Sequence, residues 1–193
     1  MSVKLLFLSG SKRQNSINSL LAKLAAEKAT ALGAQATLID PGQYDMPLYD
    51  GDLEAEDGMP PAAIDLKALF VEADGFFIAS PEYNSAYSPL LKNIIDWLSR
   101  SHQDGEAPLS AFRGKVAAIS AASPGGLGGL RGLVPLRMLL GNIGVTVIPA
   151  QAAIGSAMNA FDATGQLTDA KHDQMIADVV QQLVDTAAAL KTV

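Results

Sequence analysis

A chain of 193 residues that is 49% hydrophobic is long and apolar enough to bury a core of its own, which excludes intrinsic disorder. Its 14 basic against 20 acidic residues leave a net charge of −6, the wrong sign for a nucleic-acid or anionic-membrane partner. Without a single cysteine it has no disulfide, thiolate nucleophile or thiolate metal site, so a reducing, cytoplasmic setting is expected.

In chain order, short apolar runs alternate with helical periods. Residues 3–8 predict a strand, and Ile17, Leu20, Leu21 and Leu24 then recur at helical spacing until Gly33 stops them. A weaker strand at 36–39 turns at Pro41-Gly42 into a polar loop over 41–59. A helix over 62–73, a strand over 75–79 and a helix over 89–100 with Pro at its first turn follow. The remaining elements are a strand at 115–121, a helix at 130–142, a strand at 145–149 and a last helix capped by Thr168. No run is long enough to cross a bilayer, and the apolar stretch at the amino terminus is too short for a signal peptide. Strands alternating with helices predict an α/β fold. It is a flavodoxin-like three-layer sandwich: one domain over 1–193, with a five-stranded parallel sheet and helices on both faces. Ligands of such sheets bind beyond the carboxyl ends of the strands.

The first strand runs into SGSKRQNSIN, residues 9–18. A helix amino terminus offers free N–H groups, Ser11, Ser16 and Asn18 add side-chain donors, and Arg13 presents a planar fork, so the loop suits a phosphate. The alternative is local: Asn15 or Ser16 caps the helix and Arg13 is solvated. The dinucleotide pattern GxGxxG is missing, although Asp40 stands where its ribose-binding acid would, and the P-loop pattern GxxxxGK[ST] occurs nowhere. A hydroxyl-rich loop with one glycine suits a terminal monophosphate better than a pyrophosphate. FMN is the candidate.

After the third strand the chain reads ASPEYNSAYSPLLKNIIDWLSR, residues 79–100. Pro81 stiffens the turn, Tyr83 offers a face for stacking on a flat ring, and successive amides from Glu82 onward reach the ring's polar edge. Leu90, Leu91, Ile94, Ile95 and Leu98 read as core. After the fourth strand, glycines at 125, 126, 128 and 129 let backbone approach a ligand closely, or simply let the loop turn.

These segments resemble the NADPH-dependent FMN reductases. The first loop has that family's GSxRxxSxN pattern, PEYN followed by LKNxIDWLSR has its second, and DMPLYDGDLE (45–54) and GGLRG (128–132) are similar as well. The resemblance implies a flavodoxin-like homodimer or homotetramer that passes electrons from NADPH or NADH through FMN to quinones, azo dyes, metal oxyanions or free flavin. By motif, Ser11, Arg13, Ser16 and Asn18, with Ile17 among them, would hold the FMN phosphate. Pro81, Glu82, Tyr83 and Asn84 would line the isoalloxazine. Ser123 and Gly125 are further expected contacts, although Pro124 and Leu127 stand where the family pattern has smaller or polar residues. Flavin carries the hydride and electron transfer, so no catalytic side chain and no metal is expected. Tyr49, in the 41–59 loop, and Tyr83 are expected to wall the substrate.

Two other functions compete. A serine esterase on this fold would use Ser11 with the Asp169-Ala170-Lys171-His172 segment, but the first loop lacks a Gly-Asp-Ser lead-in. A non-catalytic electron carrier would bind flavin without a substrate wall. Tyr83, Tyr87, the 89–100 helix, Leu127, Leu130 and Leu133 are the expected cover for the exposed flavin edge in an oligomer.

Overall fold

Apolar runs without polar alternation become strands buried on both faces, as in a parallel sheet covered by helices. The computed structural model describes residues 2–191. Strands β1 (Lys4–Ser9), β2 (Gln35–Ile39), β3 (Gly75–Ala79), β4 (Val116–Ala122) and β5 (Thr146–Ile154) pair in parallel in the order β2-β1-β3-β4-β5. Every residue of β3 and β4 is buried. Period two still decides which core each side chain enters. Leu5, Phe7 and Phe77 pack with α1 (Ile17–Ala31) and α6 (Ala170–Leu190), while Leu6, Leu8 and Phe76 pack with three other helices. These are α3 (Pro61–Glu72), α4 (Pro89–Leu98) and α5 (Leu130–Asn142). The flavodoxin-like three-layer arrangement is present.

Local chemistry sets the ends. Ser16 caps α1 by accepting the Ser19 N–H, and Gly33, at φ 86°, closes the helix in the left-handed conformation that glycine adopts freely. Three expectations need correction. The polar 41–59 loop holds a 3-10 turn, Pro41–Gln43, and a short helix α2, Gly51–Asp57, capped by Asp50. None of the α2 residues is buried, so no apolar period announced it. Asp169, not Thr168, caps α6, taking the Lys171 and His172 N–H groups, while the Thr168 hydroxyl donates to the Ala160 carbonyl.

Strand β5 does not stop at Pro149. Proline breaks the ladder there, and the register against β4 slips from Ala117↔Val147 to Ile119↔Gln151. Arg137 covers the irregularity by donating to the Val147 and Ile148 carbonyls and to the Gln151 side chain. The strand then resumes to Ile154, which carries the chain to the ligand-binding edge of the sheet.

Candidate functional site

Three loops leave the carboxyl ends of β1, β3 and β4 and enclose an open cavity of about 200 Å3. The first loop is built from nested turns: the Ser9 hydroxyl accepts the Ser11 N–H at 3.1 Å, and the Ser11 hydroxyl accepts the Arg13 N–H at 3.3 Å. Ser11, Arg13 and residues 15–18 face the cavity, with Asn15 at φ 56°. The N–H groups of Ile17 and Asn18, in the first turn of α1, find no protein acceptor among the described residues. Arg13 is exposed, and its guanidinium is free to meet a ligand.

Asn18 is committed elsewhere as well. It is 4% exposed, and its amide donates to the Ala122 carbonyl and accepts the Ala122 N–H, both at 2.9 Å. β3 has ended at that level, since its register stops at Ala79↔Ser120 and Ser80 bonds the Ser120 carbonyl. The Asn18 side chain therefore substitutes for the missing strand and leaves one amide hydrogen for a ligand.

The second loop contributes Pro81, Glu82 and Tyr83 to the wall. Tyr83 and Ala86 exchange backbone hydrogen bonds of 2.9 and 3.1 Å around Asn84 and Ser85, whose φ values of 52° and 66° make this a tight primed-type hairpin. Asn84 is thus a turn residue and does not line the cavity. Tyr83 is 46% exposed at the mouth. Ser88, the cap of α4, donates to the Gly10 carbonyl at 2.6 Å and joins the second loop to the first. A Cβ on Gly10 would lie 2.8 Å from that hydroxyl, so the contact requires glycine.

The third loop adds residues 122–124, and Met158 closes the rim from the 3-10 turn after β5. Beside the main cavity lies a second cleft of about 200 Å3, lined by Glu82, Ser123, Arg131 and the glycine-rich 125–129 run. Gly125 belongs to this cleft; Glu82 and Ser123 border both. Gly128, at φ 62°, lies so close to β5 that a Cβ would come within 2.6 Å of the Ala153 and Ile154 backbone.

Tyr49 is not part of either wall. Its hydroxyl donates to Glu54 at 2.9 Å and its ring meets Trp97 edge-on at 5.1 Å, while Arg100 grips the same carboxylate. Asn93 and Trp97 also hold the Pro47 carbonyl, so the 44–54 segment is clamped to α4. Tyr87 packs against the α3–α5 core, and Leu133 is fully buried in it. The esterase arrangement has lost its acid: the Asp169 carboxylate is occupied with the first turn of α6, and those N–H bonds from Lys171 and His172 hold it below its usual range. Among the described residues no group of histidines and acids is arranged to hold a metal ion.

Sequence reasoning named neither Ala122 nor Met158, and it read Asn15 only as a cap candidate and Pro124 only as a departure from the family pattern. Carrying the period-two pattern of Ile148, Ala152 and Ile154 past Pro149 would have brought Met158 to this edge.

Comparison with known proteins gives a consistent result. The sequence matches the family model described as NADPH-dependent FMN reductase over residues 3–159. It is similar to an NAD(P)H-dependent FMN reductase of Pseudomonas aeruginosa, at 37% identity over 183 residues that cover 94% of this chain and 93% of the relative. A quinone reductase of Escherichia coli is 35% identical over 164 residues, covering 84% and 83%. The solved structure of FerB, a flavoenzyme NAD(P)H:(acceptor) oxidoreductase from Paracoccus denitrificans, superposes with a TM-score of 0.82 at 29% identity, covering 97% of this chain and 98% of that one.

Proposed function

The chain belongs to the NADPH-dependent FMN reductase family, and on that footing we propose that FMN sits with its phosphate on the first loop and its ring against residues 81–83. The protein is an FMN-dependent NAD(P)H oxidoreductase. One observation carries the placement. The Ser11 and Ser16 hydroxyls, the open N–H groups of Ile17 and Asn18 and the Arg13 guanidinium line one cavity, and the one carboxylate there among the described residues, Glu82, is already paired with Arg131, which fits a dianionic phosphate. Opposite it, Pro81 and Tyr83 offer a stiff, flat surface to a ring.

Bound FMN supplies the hydride and electron transfer. The protein's part is to bind and to orient. Ser88 on Gly10 and Asn18 on Ala122 lock the three loops together before any ligand arrives, so little ordering remains to be done on binding. Tyr83, half exposed at the mouth, provides a stacking face for a nicotinamide or a flat acceptor. Donor and acceptor use this one opening in turn. The acceptors are quinones, azo compounds, metal oxyanions or free flavin, and the setting is cytoplasmic; among the described residues no helix is long and apolar enough to cross a membrane.

The purified protein is expected to bind FMN more tightly than riboflavin. Arg13→Ala should weaken FMN by about tenfold or more, since a charge-assisted hydrogen bond contributes roughly 1.5–3 kcal/mol, and should leave riboflavin nearly unchanged. Equal affinity for both compounds in wild type rejects the phosphate placement. Initial rates at several NADPH concentrations should give parallel double-reciprocal lines against a quinone; intersecting lines reject the shared opening.

The active form is a homodimer or homotetramer. Leu127, Leu130, Val134 and Met138 are 42–66% exposed and follow one another along one face of α5 and the loop before it, a row that begins in the wall of the second cleft. Light scattering should give at least twice the 20.1 kDa chain mass, and Val134→Glu should lower it. A fully active monomer would refute this.

A further inference from the structure

Glu82 lines both cavities, yet its carboxylate makes no bond within its own loop. Oε1 accepts from Arg131 Nε at 3.0 Å and pairs with Nη2 at 2.9 Å, and Oε2 accepts the Gly132 N–H at 3.2 Å. It is the one carboxylate in either wall among the described residues. Helix α5 begins on Gly129, at φ 88°, with no side-chain cap of its own. Glu82 supplies the side-chain acceptor from across the site, sharing the Gly132 N–H with the Gly129 carbonyl, at a helix end that favours an anion. The approach depends on Gly132, where a Cβ would stand 3.1 Å from the Ala86 carbonyl and 3.3 Å from the Glu82 Cβ. The GGLRG segment thus has a physical reason: two glycines turn the loop, the arginine pairs with Glu82, and the last glycine lets the 81–87 loop close on the helix.

The pair is neutral as a unit but made of two full charges. A hydride leaving a nicotinamide carries one proton and two electrons, so its acceptor gains one unit of negative charge while the donor departs oxidised. An unpaired carboxylate in the wall would oppose that gain, and an unpaired guanidinium would favour it. Resting on the flavin placement above, we propose that Glu82 and Arg131 act as a positioning pair that clamps the 81–87 loop to α5 and balances the charge that sets the reduction potential of bound FMN.

The test is the midpoint potential of FMN bound to Glu82→Gln, Arg131→Gln and the double variant. Glu82→Gln keeps an acceptor for the Gly132 N–H but leaves Arg131 unbalanced. It should move the reduction equilibrium toward the reduced form by about tenfold, ~30 mV for a two-electron couple. Arg131→Gln should move it the other way by a similar amount, the double variant should return near wild type, and Arg131→Lys should match wild type because it restores the charge. A loosened loop without an electrostatic role would shift both single variants in the same direction; that result, or no shift, overturns the charge balance. Arg131 is 62% exposed, so its variant folds and its sign decides even where Glu82 variants fold poorly. The clamp is read without flavin: amide exchange at Tyr83 and Ala86 in the FMN-free protein should quicken about tenfold in Glu82→Ala, and unchanged exchange refutes it. Wild type that takes up no FMN fails the placement above, and the exchange result then decides the clamp by itself.

Discussion

Glu106→Gln is expected to cost about 3–5 kcal/mol of stability, because it strips the counter-ion from a lysine that has no access to water. Lys67, on the inner face of α3, is 1% exposed. Its ammonium reaches the Glu106 carboxylate and the Arg100 carbonyl. Glu106 in turn accepts from the Ser110 hydroxyl and the His102 N–H and faces the His102 ring nitrogen at 2.9 Å. The cluster bolts the connector between α4 and β4 onto α3, and none of its residues lines either cavity. Burial pushes the Glu106 carboxyl up, but the hydrogen bonds from Lys67, Ser110 and His102 outweigh it and hold the group at about 2, against an ordinary 4.5. A depressed folded-state value means that the stabilisation is complete above the unfolded value and is lost as the pH falls through 4.5 toward 2. The loss amounts to about 3 kcal/mol. Urea midpoints of wild type should therefore drop steeply over that window, whereas Glu106→Gln starts low and shows a shallower acid slope. Parallel slopes in the two proteins would reject the assignment.

That cluster was invisible in the sequence for the same reason that other features were. Lys67 sits in an ordinary helical period, and its partner lies 39 positions on in a polar stretch. The strands were legible because both faces of a parallel sheet are apolar, so β1, β3 and β4 announce themselves as unbroken runs. The first loop was legible because its bonds are local: the serine turns and the Ser16 cap span two or three residues. Elements held by distant partners were not. Helix α2 is recruited by Tyr49, Trp97 and Arg100 without burying a residue of its own, so neither it nor the true duty of Tyr49 could be read from a pattern. Proline at 149 suggested the end of β5, where the chain slips register and continues. Motif resemblance pointed to loops that enclose a cavity but gave Asn18 a single duty, because a motif records which residue is present and not what it is already bonded to.

Asn18→Leu separates the two duties. Leucine repeats the branched heavy-atom skeleton of asparagine, so the shape of this buried side chain is kept while both bonds to Ala122 are lost. Two buried backbone groups are then left unpaired at about 1–3 kcal/mol each, and the FMN-free protein should lose roughly 2–5 kcal/mol in urea unfolding. β4 would come free of α1 at the point where the third loop begins, and that loop forms part of both cavities. The ligand consequence differs in kind from that of Arg13→Ala. Removing a phosphate ligand alone lowers FMN affinity and spares riboflavin, so the ratio of the two collapses. Releasing the loops weakens the ring site and the phosphate site together, so FMN and riboflavin should both weaken by about tenfold while their ratio stays within roughly threefold of wild type. A selective loss of FMN with unchanged stability would show that the asparagine amide serves the phosphate first and the strand second. The bidentate 2.9 Å geometry on Ala122 argues for the opposite order.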